Sequence, residues 1–300
     1  LRYRWPTRPV VVICADGCDP EYLECGFRDG ILPNLSKLSC EGVLATAHSA
    51  MPSFTNPNNV SIITGVPPST HGISGNYFLE AESGTEVMMD DPRWLRSETI
   101  LAAFASHGAR VGAISAKHKL CKLLGAGRGN PTFVCFSAEY AESCTLPEHG
   151  VEGIVEMVGR PQPEVYSGDL SLFVLDAGIR LLKRQHFDLL YLSLSDYIQH
   201  KYPPGSPEAT HFLAQLDARV GTLARLDIIL GIVADHGMSD KSQRDGSPQV
   251  IYLQDELQRQ FGVGQTKVIL PITDPYVVHH GALGLANSLQ HRFPVKLFVI

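Results

Sequence analysis

Three hundred residues, 44% of them hydrophobic, can bury a full core, and that length suits one sizeable α/β domain with an insertion better than two independent domains. A net charge of −6 supplies no broad basic field, which argues against nucleic acid as a partner, and no apolar run approaches the ~20 residues needed to cross a bilayer. Seven cysteines (Cys14, Cys18, Cys25, Cys40, Cys121, Cys135 and Cys144) show no tight metal-ligand spacing and cannot all pair within the chain, so a reducing, cytoplasmic setting is expected.

The chain opens on LRYRWPTRP, without an initiator Met or an apolar targeting core, and is expected to begin inside a longer product. Val10 to Ala15 is a β-branched run that predicts a buried strand ending at Asp16-Gly17. Leu32 to Glu41 predicts a helix after the Pro33-Asn34 breaker, and Gly42 to Ala47 a strand returning toward Thr55. Asn58 to Thr64 has helical character and would aim free backbone N–H groups at an anion. Ile100 to His107 and Arg110 to Ser115 predict a helix and then a strand that delivers Lys117 and Lys119 at its end.

Leu170 to Gln185 carries apolar residues at helical spacing, followed by a strand over Leu189 to Leu194 with Asp196 two residues beyond. Pro207 to Arg225 predicts a second long helix, and Asp227 to Ala234 a strand tipped by Asp235-His236-Gly237. Alternating helices and strands predict a mostly parallel central sheet sandwiched by helices, with a smaller cap insertion. From Val250 the texture shifts to short segments with Gly and Pro, so residues 1–249 form the expected core and 250–300 the start of an incomplete cap. The closing run GLANSLQHRFPVKLFVI ends on apolar residues without a cap and is expected to mark a truncated or altered terminus.

Strand ends in open α/β sheets gather at one edge, so Asp16, Asp196 and Asp235-His236 would converge there. Asp196 and His200 stand at i and i+4 and share a helix face, a carboxylate–imidazole pairing suited to zinc. Taken singly, these are ordinary helix caps and turns. Together, with Thr55 in PSFTNPN between the first two, they predict a two-metal hydrolase acting at phosphorus. One metal would lower the pKa of the threonine hydroxyl, and the pair would hold the phosphoryl oxygens as negative charge grows.

The set DG, PSFTNPN, TG-x-PPSTHGI-x-GN, D-x-x-QH and DHGM resembles the alkaline phosphatase superfamily, in its nucleotide pyrophosphatase/phosphodiesterase branch, over nearly all of residues 8 to 285. Within that branch, SAKHKLCKLLG, SDYIQHKYPPGSPEA and DPYVVHHGALG are similar to the phosphonoacetate hydrolase group, whose members cleave a carbon–phosphorus bond to give acetate and phosphate. The resemblance implies two Zn2+ ions, one held by Asp16, Thr55, Asp235 and His236 and the other by Asp196 and His200. It further implies Thr55 as nucleophile, Asn76 as donor to a phosphoryl oxygen, and Lys117 and Lys119 as the grip on the substrate carboxylate. His71 is expected to be structural. The partner would be a small-molecule phosphonate, with a homodimer left open.

The group's second zinc also takes a downstream histidine in a Ser-His-Gly context. None stands here, since His279, His280 and His291 are the only later histidines, so that site is expected to be incomplete. Gln199 replaces the glycine usual before the histidine in the phosphodiesterases, which leans toward the phosphonate group. A phosphodiesterase or phosphomonoesterase of the same superfamily stays open, as does an inactive truncated product.

Overall fold

The computed structural model describes residues 3–51, 53–80, 82–127, 129, 132–240, 242–243, 245–249, 251–268 and 294–299. Its strands are β1 (Val10–Cys14), β2 (Val43–His48), β3 (Tyr77–Leu79), β4 (Glu86–Met88), β5 (Val111–Ser115), β6 (Phe133–Ser137), β7 (Leu189–Ser193), β8 (Ile229–Val233) and β9 (Pro294–Val299). Seven form the main sheet in the order β2-β9-β8-β1-β7-β5-β6, while β3 and β4 pair as a separate hairpin. Strands β8, β1, β7, β5 and β6 run parallel. Strand β9 is antiparallel to both β8 and β2, so β2 runs with the parallel set.

Strands β5, β6 and β7 are buried along their whole lengths, because helices cover both faces of the sheet and leave no solvated side for polar residues. The period of two then divides the core. On β1, Val11 and Ile13 join the larger cluster, packed by helices Asp169–Arg184 and Pro207–Ala224, while Cys14 joins the smaller one with Val60, Ile63 and Leu123. Buried Asp217 in the second helix accepts from the backbone N–H groups of Asn34 (3.1 Å) and Leu35 (2.8 Å), satisfying the orphan donors at the start of helix Pro33–Glu41.

The fold class and the long elements agree with the sequence reading to within a residue or two. The helix after the threonine begins earlier than expected, at Thr55 itself. Lys117 caps a short helix, His118–Leu124, which carries Lys119 in its first turn. Strand β6, which the sequence reading missed, adds an edge to the sheet. Strand β9 lies in the main sheet although it falls inside the stretch read as cap; residues 269–293 before it lie outside the described residues.

Candidate metal centre at the carboxyl edge of the sheet

Register alone brings the predicted donors together. Cys14 pairs with Ser193 on one side and Val233 on the other, and Ser193 pairs with Ser115, so four neighbouring parallel strands end level. Asp16, Asp235 and Lys117 each lie two residues past those ends and Asp196 three past, on strands spaced by about 4.8 Å. The turn after β1 depends on Gly17. Its φ is +66°, and an added Cβ would stand 2.9 Å from Asp196 Cβ and 3.1 Å from Met238 Cε.

Asp16, Asp235 and His236 are buried, and their ligand atoms lie within 4.8 Å of one another. His236 Nδ1 lies 3.0 Å from Gly237 O, and because a carbonyl can only accept, this nitrogen carries the proton. Nε2 therefore turns toward carboxylates, at 3.1 Å from Asp16 Oδ1, 3.9 Å from Asp235 Oδ2 and 4.0 Å from Asp196 Oδ2. Asp16 Oδ1 is buried without a well-formed hydrogen bond. A second proton or a cation is needed in that space, and the oxygen and nitrogen donors suit a divalent metal.

The charges show the same crowding. Burial, and then the charges of Asp196 and Asp235, push the Asp16 carboxyl well above the usual carboxylate range. Burial also raises Asp235, against the opposing pull of His236. Desolvation works against a charged His236, yet Asp235 and Asp16 overcome it and hold its pKa well above that of a free imidazole. For Asp196, burial pushes upward but the neighbouring His200 prevails and keeps the carboxyl well below its ordinary value. His200 Nε2 sits 2.8 Å from Asp196 Oδ2, so this pair forms a second donor group beside the first. The three later histidines lie outside the described residues.

Thr55 is half-buried at the first position of its helix. Asn59, one turn on, donates through Nδ2 to Thr55 O (3.1 Å) and Asp235 Oδ2 (2.9 Å), tying the Thr55 turn to the carboxylates. Asn76 arrives from the loop before β3, and its Oδ1 accepts from the Asn56 N–H at 3.2 Å, so it stands at the same helix end. Lys117 Nζ donates to Val165 O at 3.1 Å and lies over the Tyr166 ring, and Lys119 is exposed. His71 is fully buried; its Nδ1 accepts from the Ile73 N–H (3.1 Å) and its Nε2 lies 3.0 Å from Ser61 Oγ, a structural role as expected.

Sequence reasoning missed Asn59. The available signal was the run Asn56, Asn58 and Asn59, all buried although asparagine is a poor former of helix interiors.

A mostly parallel α/β sheet with buried carboxylate and imidazole donors at its carboxyl edge offers a site that could hold a metal ion, at the edge where open α/β sheets place their ligands. A model of the Type I phosphodiesterase / nucleotide pyrophosphatase family matches residues 10–280, and the chain belongs to that family. It is similar to the solved structure of a phosphonoacetate hydrolase from Sinorhizobium meliloti 1021, known in complexes with phosphonoformate and with phosphonoacetate. That likeness has a TM-score of 0.88 at 49% identity and covers 94% of this chain and 69% of the other. Among curated relatives, ectonucleotide pyrophosphatase/phosphodiesterase family member 1 of Homo sapiens is 26% identical across 97% of this chain, and family member 3 of Bos taurus 25% across 77%. The chain spans 30% and 25% of the lengths of these two relatives.

Proposed function

We propose that the protein hydrolyses the carbon–phosphorus bond of phosphonoacetate to acetate and phosphate. The observation that carries the reading is the 49% identity with a phosphonoacetate hydrolase over 94% of a chain whose register gathers Asp16, Asp196, Asp235 and His236 at one edge. Asp16, Thr55, Asp235 and His236 would hold one zinc and Asp196 with His200 a second. When bound, the two ions would lower the pKa of the Thr55 hydroxyl and offset charge on the phosphoryl oxygens.

Thr55 Oγ attacks phosphorus, and as the O–P bond forms the C–P bond breaks, its electron pair passing to the methylene carbon. The adjoining carboxylate spreads that charge, and Lys117 and Lys119 stabilise the enolate-like form until the carbon takes a proton and leaves as acetate. Water then cleaves the phosphothreonine, its oxygen going to phosphorus and a proton back to Thr55, so one water is used per bond. Asn76 has its Oδ1 engaged by the Asn56 N–H, which leaves Nδ2 as the end that donates to a phosphoryl oxygen.

The family match and the curated relatives favour phosphodiester hydrolysis as the second reading. Phosphate release from phosphonoacetate is measured beside cleavage of a nitrophenyl phosphodiester, each with a chelator control. Chelator-sensitive turnover of phosphonoacetate alone is expected, and turnover of the diester alone overturns the reading.

We further assign the chain to a reducing compartment such as the cytoplasm, supported by seven cysteines that form no disulfide. Among the described residues no helix is long and apolar enough to cross a membrane. The helix Leu253–Phe261 buries none of its side chains, which supports reading it as part of a cap segment. The mass of the species in solution tests for the homodimer.

A further inference from the structure

One loop fixes the position of the Lys117 ammonium. Val165 O accepts from Nζ at 3.1 Å, and the Tyr166 ring lies beneath it with its centroid 4.6 Å away. A lysine head on a flexible four-carbon stem samples many positions unless something holds it. The carbonyl accepts one N–H, and the negative ring face attracts the charge. An ammonium held this way presents its positive charge at a fixed point.

The loop is itself braced. Gln162 Oε1 accepts from the Glu142 N–H at 2.9 Å, and Ser167 Oγ donates to Glu164 O at 2.7 Å. At Gly168 the backbone packs so closely on Ile198 that an added Cβ would stand 2.9 Å from its Cγ1. Ile198 belongs to the helix Tyr197–Lys201, which also carries His200. The segment that holds Lys117 therefore leans on the element that carries the second donor pair.

We propose that Tyr166 is a positioning residue that sets the preference for a carboxylate-bearing phosphonate by fixing the Lys117 ammonium, an inference that rests on the function proposed above. The aromatic ring acts through its face, so Phe replaces it and an aliphatic side chain does not.

The test compares zinc-supplemented wild type, Tyr166→Phe and Tyr166→Leu in steady-state turnover of phosphonoacetate. In a Thr55→Ala background, calorimetry then measures the binding of phosphonoacetate and of ethylphosphonate, which lacks the carboxylate. Tyr166→Leu is expected to raise the KM and Kd for phosphonoacetate by about fivefold to tenfold, the range of a partly desolvated cation–π contact. Its kcat should fall as well, because Lys117 stabilises the enolate-like form as the C–P bond breaks, while its Kd for ethylphosphonate should stay within about twofold of the parent, and Tyr166→Phe should match wild type. Unchanged phosphonoacetate binding in Tyr166→Leu, equal weakening of both ligands, or a Tyr166→Phe variant as poor as Leu overturns the inference alone. Wild type that neither binds nor cleaves phosphonoacetate overturns the functional reading and the inference with it. Should the Leu variant fail to fold, Tyr166→Met serves in the same comparison.

Discussion

Asn59 donates to Asp235 Oδ2 at 2.9 Å at a point where both side chains are buried. The same carboxamide accepts from Tyr191 (2.8 Å) and Ser193 (3.3 Å), so one side chain joins the Thr55 helix to β7 and to Asp235, two residues past β8. Replacing it with Ala leaves the Tyr191 hydroxyl and one Asp235 oxygen without their partner. Asn59→Ala should cost on the order of 2 kcal/mol in stability. It should also weaken metal binding about 10- to 100-fold, as loss of a group orienting a ligand does. Denaturant unfolding and a competitive zinc titration check the two effects.

Gly17 meets two demands at once, a positive φ and close contact with Asp196 Cβ. Gly30 has nearly the same φ, +69°, but nothing within 4 Å of an added Cβ. Ala at Gly30 should therefore show only backbone strain, about 1–3 kcal/mol. Gly17→Ala should lose more stability and also displace Asp196. Parallel thermal melts with zinc titrations separate the cases, and equal behaviour of the two variants would show that the contact does not matter.

Zinc should stabilise the protein more as pH rises from 5 to 8. In the metal-free chain Asp16, Asp235 and His236 all have raised folded-state pKa values, so the stability they contribute is present at low pH and is lost as pH rises through those values. Asp196 has the opposite sign, losing its contribution only as pH falls through its depressed value. Metal binding requires the ligands deprotonated, which reverses the trend of the first three. Melting temperatures with zinc and with chelator should diverge progressively across this range, and a constant gap would contradict the donor set.

His71 gives the chain a separate acid sensitivity. Burial depresses its pKa below 6.5, and its Nδ1 already accepts from Ile73 N–H, so a second proton has no place. Because the folded-state value is lowered, the unfolded chain binds more protons below pH 6.5 and stability falls as pH drops through that window, by at most about 1.4 kcal/mol per pH unit. His71→Gln cannot take up that proton and should show a flatter profile between pH 5 and 7, measured with chelator present to remove the metal contribution.

Thr55→Ala should abolish phosphonoacetate turnover and leave zinc binding largely intact, since five other side chains would supply the remaining donors. Reversing the charge of Lys117 and Lys119 should raise the KM for phosphonoacetate strongly and for a simple nitrophenyl ester only weakly. Steady-state kinetics with both substrates check this. Full activity of the threonine variant would remove Thr55 from the mechanism.

The sequence by itself determined what depends on neighbours along the chain. Apolar runs ending in Asp16, Asp196 and Asp235 marked the strands because a strand buried on both faces needs unbroken hydrophobicity. The Asp196–His200 spacing was legible because a helix places i and i+4 on one face. The donor types named a metal centre because carboxylate and imidazole favour one. Only the tertiary structure decided how these pieces meet. The level endings of β8, β1, β7 and β5 follow from inter-strand hydrogen bonds between residues up to 219 positions apart, as with Cys14 and Val233, and no local pattern encodes that register. Asn59 and Tyr166 are an ordinary helical asparagine and an ordinary loop tyrosine until Asp235 and Lys117 are brought against them from distant parts of the chain. The place of β9 in the main sheet likewise rests on pairing with β2 and β8, since an apolar run fits a cap as well as a core until its partners are fixed.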